Sequence, residues 1–238
     1  MIPKIIHYCW LSGEEMPETF RRYISGWRRL LPDYEFRLWD MKAMERCGSF
    51  FFREAVKSGK YAFASDYVRL YALYHAGGIY LDCDVEVLKR FDPLLTLPYF
   101  ICREDTRHGI EAAVMGAEKG CGWIGECLSY YDARKVVTGE VMPSVMRRIF
   151  GERGWRLREI ASPGECEPVP GVVDILPSSF FSPKSYVTNK IRVCHDTYCI
   201  HHFSGSWQPW WKKMLLKLWV PFSYRCPRLA AKIKATGL

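Results

Sequence analysis

The N-terminal third of the chain alternates in a fixed order between two apolar spacings, one typical of strands and the other typical of helices. Residues 2–10 form a short apolar run that stops at Gly13, which indicates a buried first strand followed by a loop. The segments that follow are a helix at 17–31, a strand at 34–39, a helix at 61–75 and a strand at 79–87. This order predicts an α/β fold with a mainly parallel central sheet flanked by helices.

Shorter patterns predict further elements along the rest of the chain. They are strands at 99–102, 112–115 and 172–176, helices at 123–131 and 144–150, and a short apolar piece at 199–203. The 238 residues, 49% of them hydrophobic, suffice for one substantial core. No run reaches the roughly 18 apolar residues of a spanning helix, so we expect no transmembrane segment. The 10 cysteines occur singly and no apolar leader precedes them, which favours unpaired thiols and a cytoplasmic location.

An Asp-x-Asp triplet closes the predicted strand that follows the glycine pair at 77–78. In an extended chain alternate side chains point the same way, so Tyr80, Asp82 and Asp84 are expected to share one face. Two carboxylates there would repel each other, and a divalent cation relieves the repulsion while bridging to diphosphate oxygens. A solvated loop is the alternative interpretation of such a triplet.

A second polar pair lies on the helix just before the triplet. Asp66 and Arg69 are three residues apart and therefore neighbours on one helical face. A surface ion pair would be of little consequence. The surrounding helix is mostly apolar, however, which favours burial near the triplet, where the carboxylate could accept sugar hydroxyls and the guanidinium could neutralise phosphate.

Four motifs together resemble one known family. They are Ile-Pro-Lys-Ile-Ile-His-Tyr-Cys-Trp at 2–10, Ala-Ser-Asp-Tyr-Val-Arg at 64–69, Gly-Gly-Ile-Tyr-Leu-Asp-Cys-Asp at 77–84 and His-His-Phe-Ser-Gly-Ser-Trp at 201–207. With these four motifs in this order, the chain resembles the DXD-type glycosyltransferases of family 32. That family includes fungal initiating mannosyltransferases and bacterial capsular and lipopolysaccharide sugar transferases. The glucosylating clostridial toxins are distant relatives. The stretch between about 104 and 182 matches only loosely.

The resemblance implies a GT-A fold, a Rossmann-like nucleotide-binding sheet, and transfer with retention of the anomeric configuration. It implies donor-binding and catalytic roles for six motif positions: Trp10 on the nucleobase, Asp66 and Arg69 on the donor sugar, Tyr80 and Asp82 on sugar and ribose, and Trp207 over the diphosphate. Asp82, Asp84 and His202 would form the metal shell, with Asp84 a direct ligand. Asp66, Arg69, Asp82 and Asp84 are the catalytic set.

The third metal ligand is expected to be one of the two adjacent histidines, His201 and His202. The resemblance favours His202 over His201, and neighbours on a strand face opposite ways, so we expect only one to reach the ion. A histidine where the toxin-like relatives carry a carboxylate favours Mn²⁺ over Mg²⁺. The alternative use of these residues is a zinc site with Cys194, His195 and Cys199, which lacks a second closely spaced ligand pair.

The C-terminal segment 208–238 is basic and rich in tryptophan. Seven lysines and arginines follow residue 207 with no acidic residue, against a formal net charge of +8 for the chain. Apolar residues recur there at helical spacing, which predicts an amphipathic helix that binds an anionic membrane surface reversibly. A helix packed on the body is the alternative. Residues 1–207 are then the catalytic domain.

Together these features predict a retaining, metal-dependent hexosyltransferase at the inner face of a membrane. Its donor would be a nucleotide-sugar, UDP-linked in preference to GDP-linked, and its acceptor a saccharide or lipid-linked saccharide in surface polysaccharide or glycan synthesis. The competing class is a non-enzymatic nucleic-acid or membrane binder that uses the basic tail. The acidic centre argues against nucleic acid as a partner, because without a metal it would repel phosphate. An enzyme of the same fold that only hydrolyses the donor is a third possibility.

Overall fold

A computed structural model describes residues 1–104, 109–137, 139–205, 215, 219, 222–223 and 225–226. Its helices are α1 Glu18–Leu30, α2 Phe50–Lys57, α3 Tyr61–Ala76, α4 Gly122–Asp132 and α5 Met142–Glu152. Its strands are β1 Ile5–Cys9, β2 Glu35–Trp39, β3 Gly78–Leu81, β4 Val85–Val87, β5 Tyr99–Cys102, β6 Glu111–Ala117, β7 Arg156–Glu159, β8 Val172–Ile175 and β9 Cys199–His201. Within the described residues, none of the helices has the length and apolarity needed to span a membrane.

The central sheet has five strands in the order β2-β1-β3-β6-β5. β1 pairs in parallel with β2 and β3, whereas β6 is antiparallel to both β3 and β5. Four of the strands therefore run in one direction and β6 runs against them, so the predicted α/β class with a mainly parallel sheet is confirmed. Two small two-stranded sheets, β4-β9 and β7-β8, lie outside it.

The two faces of the sheet are covered by separate hydrophobic cores. Ile79 and Leu81 of β3 belong to the core that contains Trp27 of α1, whereas Tyr80 belongs to the core formed with α2 to α5. This alternation follows from the two-residue period of a strand, which turns successive side chains to opposite faces. The segment that follows β3 therefore lies at the edge of the sheet, where both hydrophobic cores end.

The predicted strand at 79–87 is wrong in one respect, because the chain turns in its middle. β3 ends at Leu81, and the backbone N–H of Val85 donates to the carbonyl of Asp82 at 3.0 Å before β4 begins. The indole N–H of Trp27 then binds the carbonyl of Val85 at 2.9 Å. The two aspartates are therefore brought together by a turn anchored on α1, and not by the alternation of a continuous strand.

The start of β3 approaches β1 so closely that only glycine fits at position 78. Gly78 has a φ of 109°, and a Cβ there would lie 2.7 Å from the carbonyl oxygen of Ile5. We expect Gly78→Ala to lower the free energy of unfolding by about 3 kcal/mol in urea titrations. Gly151→Ala on α5 is the matched control, since a Cβ there meets nothing within 4 Å. Equal losses in the two variants would contradict this account.

His7 ties β1 to its two neighbours and is fully buried. Its Nε2 lies 2.8 Å from the carbonyl of Gly77, and its Nδ1 accepts from the indole of Trp39 at 3.1 Å. Burial lowers the pKa of His7 to about 4, from about 6.5 in an unfolded chain. Below pH 6.5 the unfolded state therefore takes up a proton that the folded state refuses, and stability falls as the pH drops to 4.

We expect the stability advantage of the wild type over His7→Gln to shrink by roughly 3 kcal/mol between pH 6.5 and pH 4. Urea unfolding of both proteins across this range measures it. Groups that titrate in the same range, such as Asp66, are present in both proteins and cancel in the difference. A difference that does not change with pH would show that His7 is not held neutral in the fold.

Candidate active site

An open cleft of about 800 Å³ lies where β1 and β3 end. Because these two strands are parallel, their carboxyl ends meet at one edge of the sheet, which is where α/β proteins bind ligands. Residues from all four sequence motifs line the cleft: Cys9, Trp10, Asp66, Arg69, Tyr80, Asp82, Asp84, His201, Phe203 and Ser204.

The pairing of β4 with β9 brings the aspartate turn to the histidine pair. Val85 lies opposite His201 in this ladder, and the backbone N–H of His202 donates to the carbonyl of Asp84 at 3.1 Å. The backbone N–H of Ser204 donates to Asp84 Oδ2 at 2.7 Å. Residues more than a hundred positions apart in sequence thus fix the Asp84 carboxylate, which is 9% exposed.

The structure places the two neighbouring histidines in different surroundings. Asp82, Asp84 and His201 each place one potential ligand atom within 4.8 Å of the others. His202 turns away: its Nε2 lies 2.9 Å from Glu86 Oε2 and its ring stacks on Tyr23. The side chain of His201 projects into the cleft and that of His202 does not, so the metal role predicted for His202 becomes a proposal for His201.

Two carboxylates and one imidazole fit a divalent cation. Hard ions such as Mg²⁺ and Mn²⁺ take carboxylate oxygens, and Mn²⁺ also accepts imidazole nitrogen. Among the described residues this is the single cluster of three such groups. The predicted alternative around Cys194 and Cys199 forms none there, and all ten cysteines are free thiols.

Arg69 of α3 holds the first aspartate of the turn. Its Nη2 donates to Asp82 Oδ1 at 2.9 Å, and its Nη1 lies 3.6 Å from Asp66 Oδ1. Arg69 is 4% exposed, and its guanidinium lies over the ring of Tyr80 at 4.7 Å, with Nη1 also 3.3 Å from the sulfur of Met142. The predicted Asp66–Arg69 pair is therefore buried beside the triplet and is not a surface ion pair.

Burial changes the protonation of the carboxyl groups in this cluster. It raises the pKa of Asp66 to about 7, against the opposing effect of Arg69. Burial also raises the pKa of Asp82, again against Arg69. Near neutral pH, Asp66 therefore exists in both forms, so it can accept or donate a hydrogen bond to a hydroxyl group.

Glu111 at the start of β6 is a site residue that the sequence motifs missed. Its Oε2 lies 3.0 Å from Nδ1 of His201, and its Oε1 accepts the backbone N–H of Ala113 at 2.7 Å. Burial alone would lower the pKa of His201, but the charges of Glu111 and Asp84 outweigh it and raise that pKa to about 10. A carboxylate at the start of an apolar strand was the available signal, because such a group needs a partner when buried.

The remaining predicted donor contacts differ in their accessibility. Trp10 lines the cleft, with its indole N–H bound to the carbonyl of Glu14 at 2.7 Å and its ring edge-on to Phe20. Tyr80 is 1% exposed and lies behind Arg69, which places it as a support for the guanidinium. Trp207 and most of 208–238 lie outside the described residues, so the closing tryptophan and the basic helix stay predictions.

The sheet, the cleft at its edge and the aspartate turn define a GT-A glycosyltransferase fold. A solved structure described as PaToxG glycosyltransferase has this fold in common with the chain: the TM-score is 0.51 at 20% identity, covering 64% of this chain and 69% of that one. Residues 17–101 match the family described as glycosyltransferase sugar-binding region containing DXD motif. The resemblance to DXD-type glycosyltransferases is thereby confirmed.

Curated relatives point in the same direction. Inositol phosphoceramide mannosyltransferase 3 of Schizosaccharomyces pombe is 38% identical over 50% of this chain and 34% of its own length. Mannosyl phosphorylinositol ceramide synthase SUR1 of Saccharomyces cerevisiae is 28% identical over 78% of this chain and 49% of its own length. Over part of its length the chain is thus similar to proteins named as mannosyltransferases, and it spans a third to a half of the length of these relatives.

Proposed function

We propose that the protein is a retaining, metal-dependent hexosyltransferase that uses a nucleotide-sugar donor. The observation that carries this proposal is the convergence of Asp82, Asp84 and His201 at the edge of the sheet, inside a cleft that also exposes Trp10. The match of residues 17–101 to the DXD-containing sugar-binding region supports the same activity.

The cleft offers a distinct place for each part of the donor. Trp10 presents a flat ring, held by its contacts with Glu14 and Phe20, on which a nucleobase can stack. Asp66, beside Arg69, can accept or donate hydrogen bonds to sugar hydroxyls. Arg69 itself is occupied by Asp82 and Asp66, so its first role is to hold the Asp82 carboxylate in place.

Asp82, Asp84 and His201 would hold the divalent cation, which we propose to be Mn²⁺ or Mg²⁺. When bound, it supplies Lewis-acid stabilisation of the charge on a departing nucleoside diphosphate. The carboxylates of the cluster are already engaged with Arg69 and with the metal site, which leaves none assigned as a nucleophile. We therefore favour attack by the acceptor hydroxyl on the anomeric carbon from the same face as the leaving phosphate. The bond from this carbon to the phosphate oxygen breaks, the leaving phosphate takes the hydroxyl proton, and the configuration is retained.

The names of the relatives direct the choice of substrates. One fungal protein is named as a mannosyltransferase of inositol phosphoceramide, and the other as a synthase of mannosyl phosphorylinositol ceramide. Mannose is therefore the first sugar to test, and a saccharide or lipid-linked saccharide is the proposed acceptor. Location at the cytoplasmic face of a membrane belongs to the same proposal and depends on the basic segment 208–238.

The direct test is a turnover assay with a panel of UDP- and GDP-sugars, with and without Mn²⁺ and with and without a glycolipid acceptor. We expect one sugar to be transferred with retained configuration, and transfer to be lost when the cation is chelated. Donor hydrolysis unaffected by every acceptor would make the protein a hydrolase of the same fold. Salt-sensitive binding of random oligonucleotides, with no effect of Mn²⁺ on nucleotide-sugar binding, would contradict the proposal that the protein is an enzyme.

A further inference from the structure

Glu111 is a buried carboxylate with no role in the DXD motif and no predicted contact with the donor. It is 2% exposed, although it lines the cleft. Both of its oxygens have defined partners, the backbone N–H of Ala113 on one side and Nδ1 of His201 on the other. A buried charge that is tied to a candidate metal ligand calls for an explanation beyond packing.

The two ring nitrogens of His201 face different groups. Nε2 lies 3.5 Å from Asp84 Oδ1 and belongs to the cluster that could hold the cation, whereas Nδ1 lies 3.0 Å from Glu111 Oε2. An imidazole that binds a metal through Nε2 carries its one hydrogen on Nδ1. That hydrogen then points at Glu111, which is the arrangement in which a carboxylate fixes both the tautomer and the orientation of a metal-binding histidine.

We propose that Glu111 is a positioning residue that sets the Nδ1–H tautomer of His201 and so presents Nε2 to the divalent cation. The inference rests on the metal site of the proposed function and assigns to it a supporting residue outside the four sequence motifs. The Ala113 hydrogen bond matters to it, because it prevents the carboxylate from rotating away from the imidazole.

Glu111→Gln separates this role from mere packing. The backbone N–H of Ala113 must still be accepted, so the amide oxygen of the new side chain takes the Oε1 position. Its NH₂ group then faces Nδ1 of His201 and favours the opposite tautomer, with the hydrogen on Nε2. The change keeps size and shape while reversing the one hydrogen bond on which the proposal depends.

The experiment is calorimetric titration of Mn²⁺ into the wild type, Glu111→Gln and Asp174→Asn, with thermal unfolding to compare their stability. Asp174 is the matched control, because it is an equally buried carboxylate whose partner is Arg158, away from the cleft. We expect the Kd for Mn²⁺ to rise about 10- to 100-fold in Glu111→Gln and to stay unchanged in Asp174→Asn. In a His201→Gln background, Glu111→Gln should cause no further loss of Mn²⁺ affinity.

A second measurement decides the question if Glu111→Gln does not fold. Long-range ¹H–¹⁵N spectra of the wild type with Mg²⁺ give the tautomer of His201, identified by the signals missing from His201→Gln. We expect hydrogen on Nδ1, and hydrogen on Nε2 would overturn the proposal. If the wild type binds Mn²⁺ and Glu111→Gln binds it with the same Kd, this inference alone is overturned. A wild type that binds neither Mn²⁺ nor Mg²⁺ overturns the metal site and this inference together.

Discussion

Asp84→Asn is expected to abolish sugar transfer and donor hydrolysis together, with kcat/KM at least about a thousandfold below the wild type. Asn is nearly the same size, and its carbonyl oxygen can still accept the Ser204 backbone N–H that Asp84 Oδ2 accepts at 2.7 Å. The fold is therefore retained, while the cation loses a charged ligand. Turnover assays with and without acceptor, over a range of Mn²⁺ concentrations, measure the effect.

Asp33→Asn is the control for this variant, because Asp33 forms surface ion pairs with Lys4 and Arg90, away from the cleft. It should leave kcat/KM within about twofold of the wild type, since exposed pairs contribute little. Normal turnover of Asp84→Asn when Mn²⁺ is added would refute the role given to this carboxylate. If transfer is lost while donor hydrolysis is retained, Asp84 would act on the acceptor and not on the leaving group.

The two neighbouring histidines are expected to differ sharply when each is replaced by glutamine. His201→Gln removes the imidazole that faces Asp84 at 3.5 Å, and we expect kcat/KM to fall at least about a hundredfold, with a higher Mn²⁺ requirement. His202→Gln removes a ring that stacks on Tyr23 and contacts Glu86, and we expect a change of no more than about threefold.

The pair is its own control, because His201 ends β9, His202 is the next residue, and both undergo the same chemical change. Steady-state kinetics against Mn²⁺ concentration and thermal unfolding of both variants complete the comparison. The reverse order of effects, with His202→Gln the more damaging, would restore the original choice from the motif resemblance and contradict the geometry of the cluster.

The fold was predictable from the sequence where apolar periodicity is strong. Helix α1 begins after Pro17 and α3 ends before Gly77, as the punctuating residues indicate. Two elements had no such signal. Helix α2 has eight residues that begin with three consecutive phenylalanines, and β7 has four residues with two arginines, so neither shows a clear apolar spacing. In the fold, α2 packs on α3 and β7 pairs with β8.

The site was predictable in its residue types but not in its local geometry. The spacing of Asp66, Arg69, Asp82 and Asp84 indicated a shared cluster, and the structure brings them together. The choice between His201 and His202 could not be made from sequence, because it depends on which face of β9 turns to the cleft when it pairs with β4. That register depends on tertiary structure, because it pairs β9 with residues that precede it by more than a hundred positions, directly after the aspartate turn.

Glu111 escaped prediction for the same reason. Its only sequence neighbours of note are apolar residues, and its partner His201 lies 90 positions further along the chain. Only the antiparallel placement of β6 beside β3 brings this carboxylate into the cleft. A sequence motif identifies residues that are close together along the chain. The residue that orients a metal-binding side chain usually lies on another helix or strand.

The central claim is that Asp82, Asp84 and His201 hold one divalent cation, and anomalous scattering from crystals grown with Mn²⁺ and a nucleoside diphosphate tests it most directly. We predict a single strong Mn peak within about 2.5 Å of a carboxylate oxygen of Asp84 and of Nε2 of His201. A peak coordinated by His202, or crystals in which the nucleotide is bound and no peak lies near Asp84, would contradict the account.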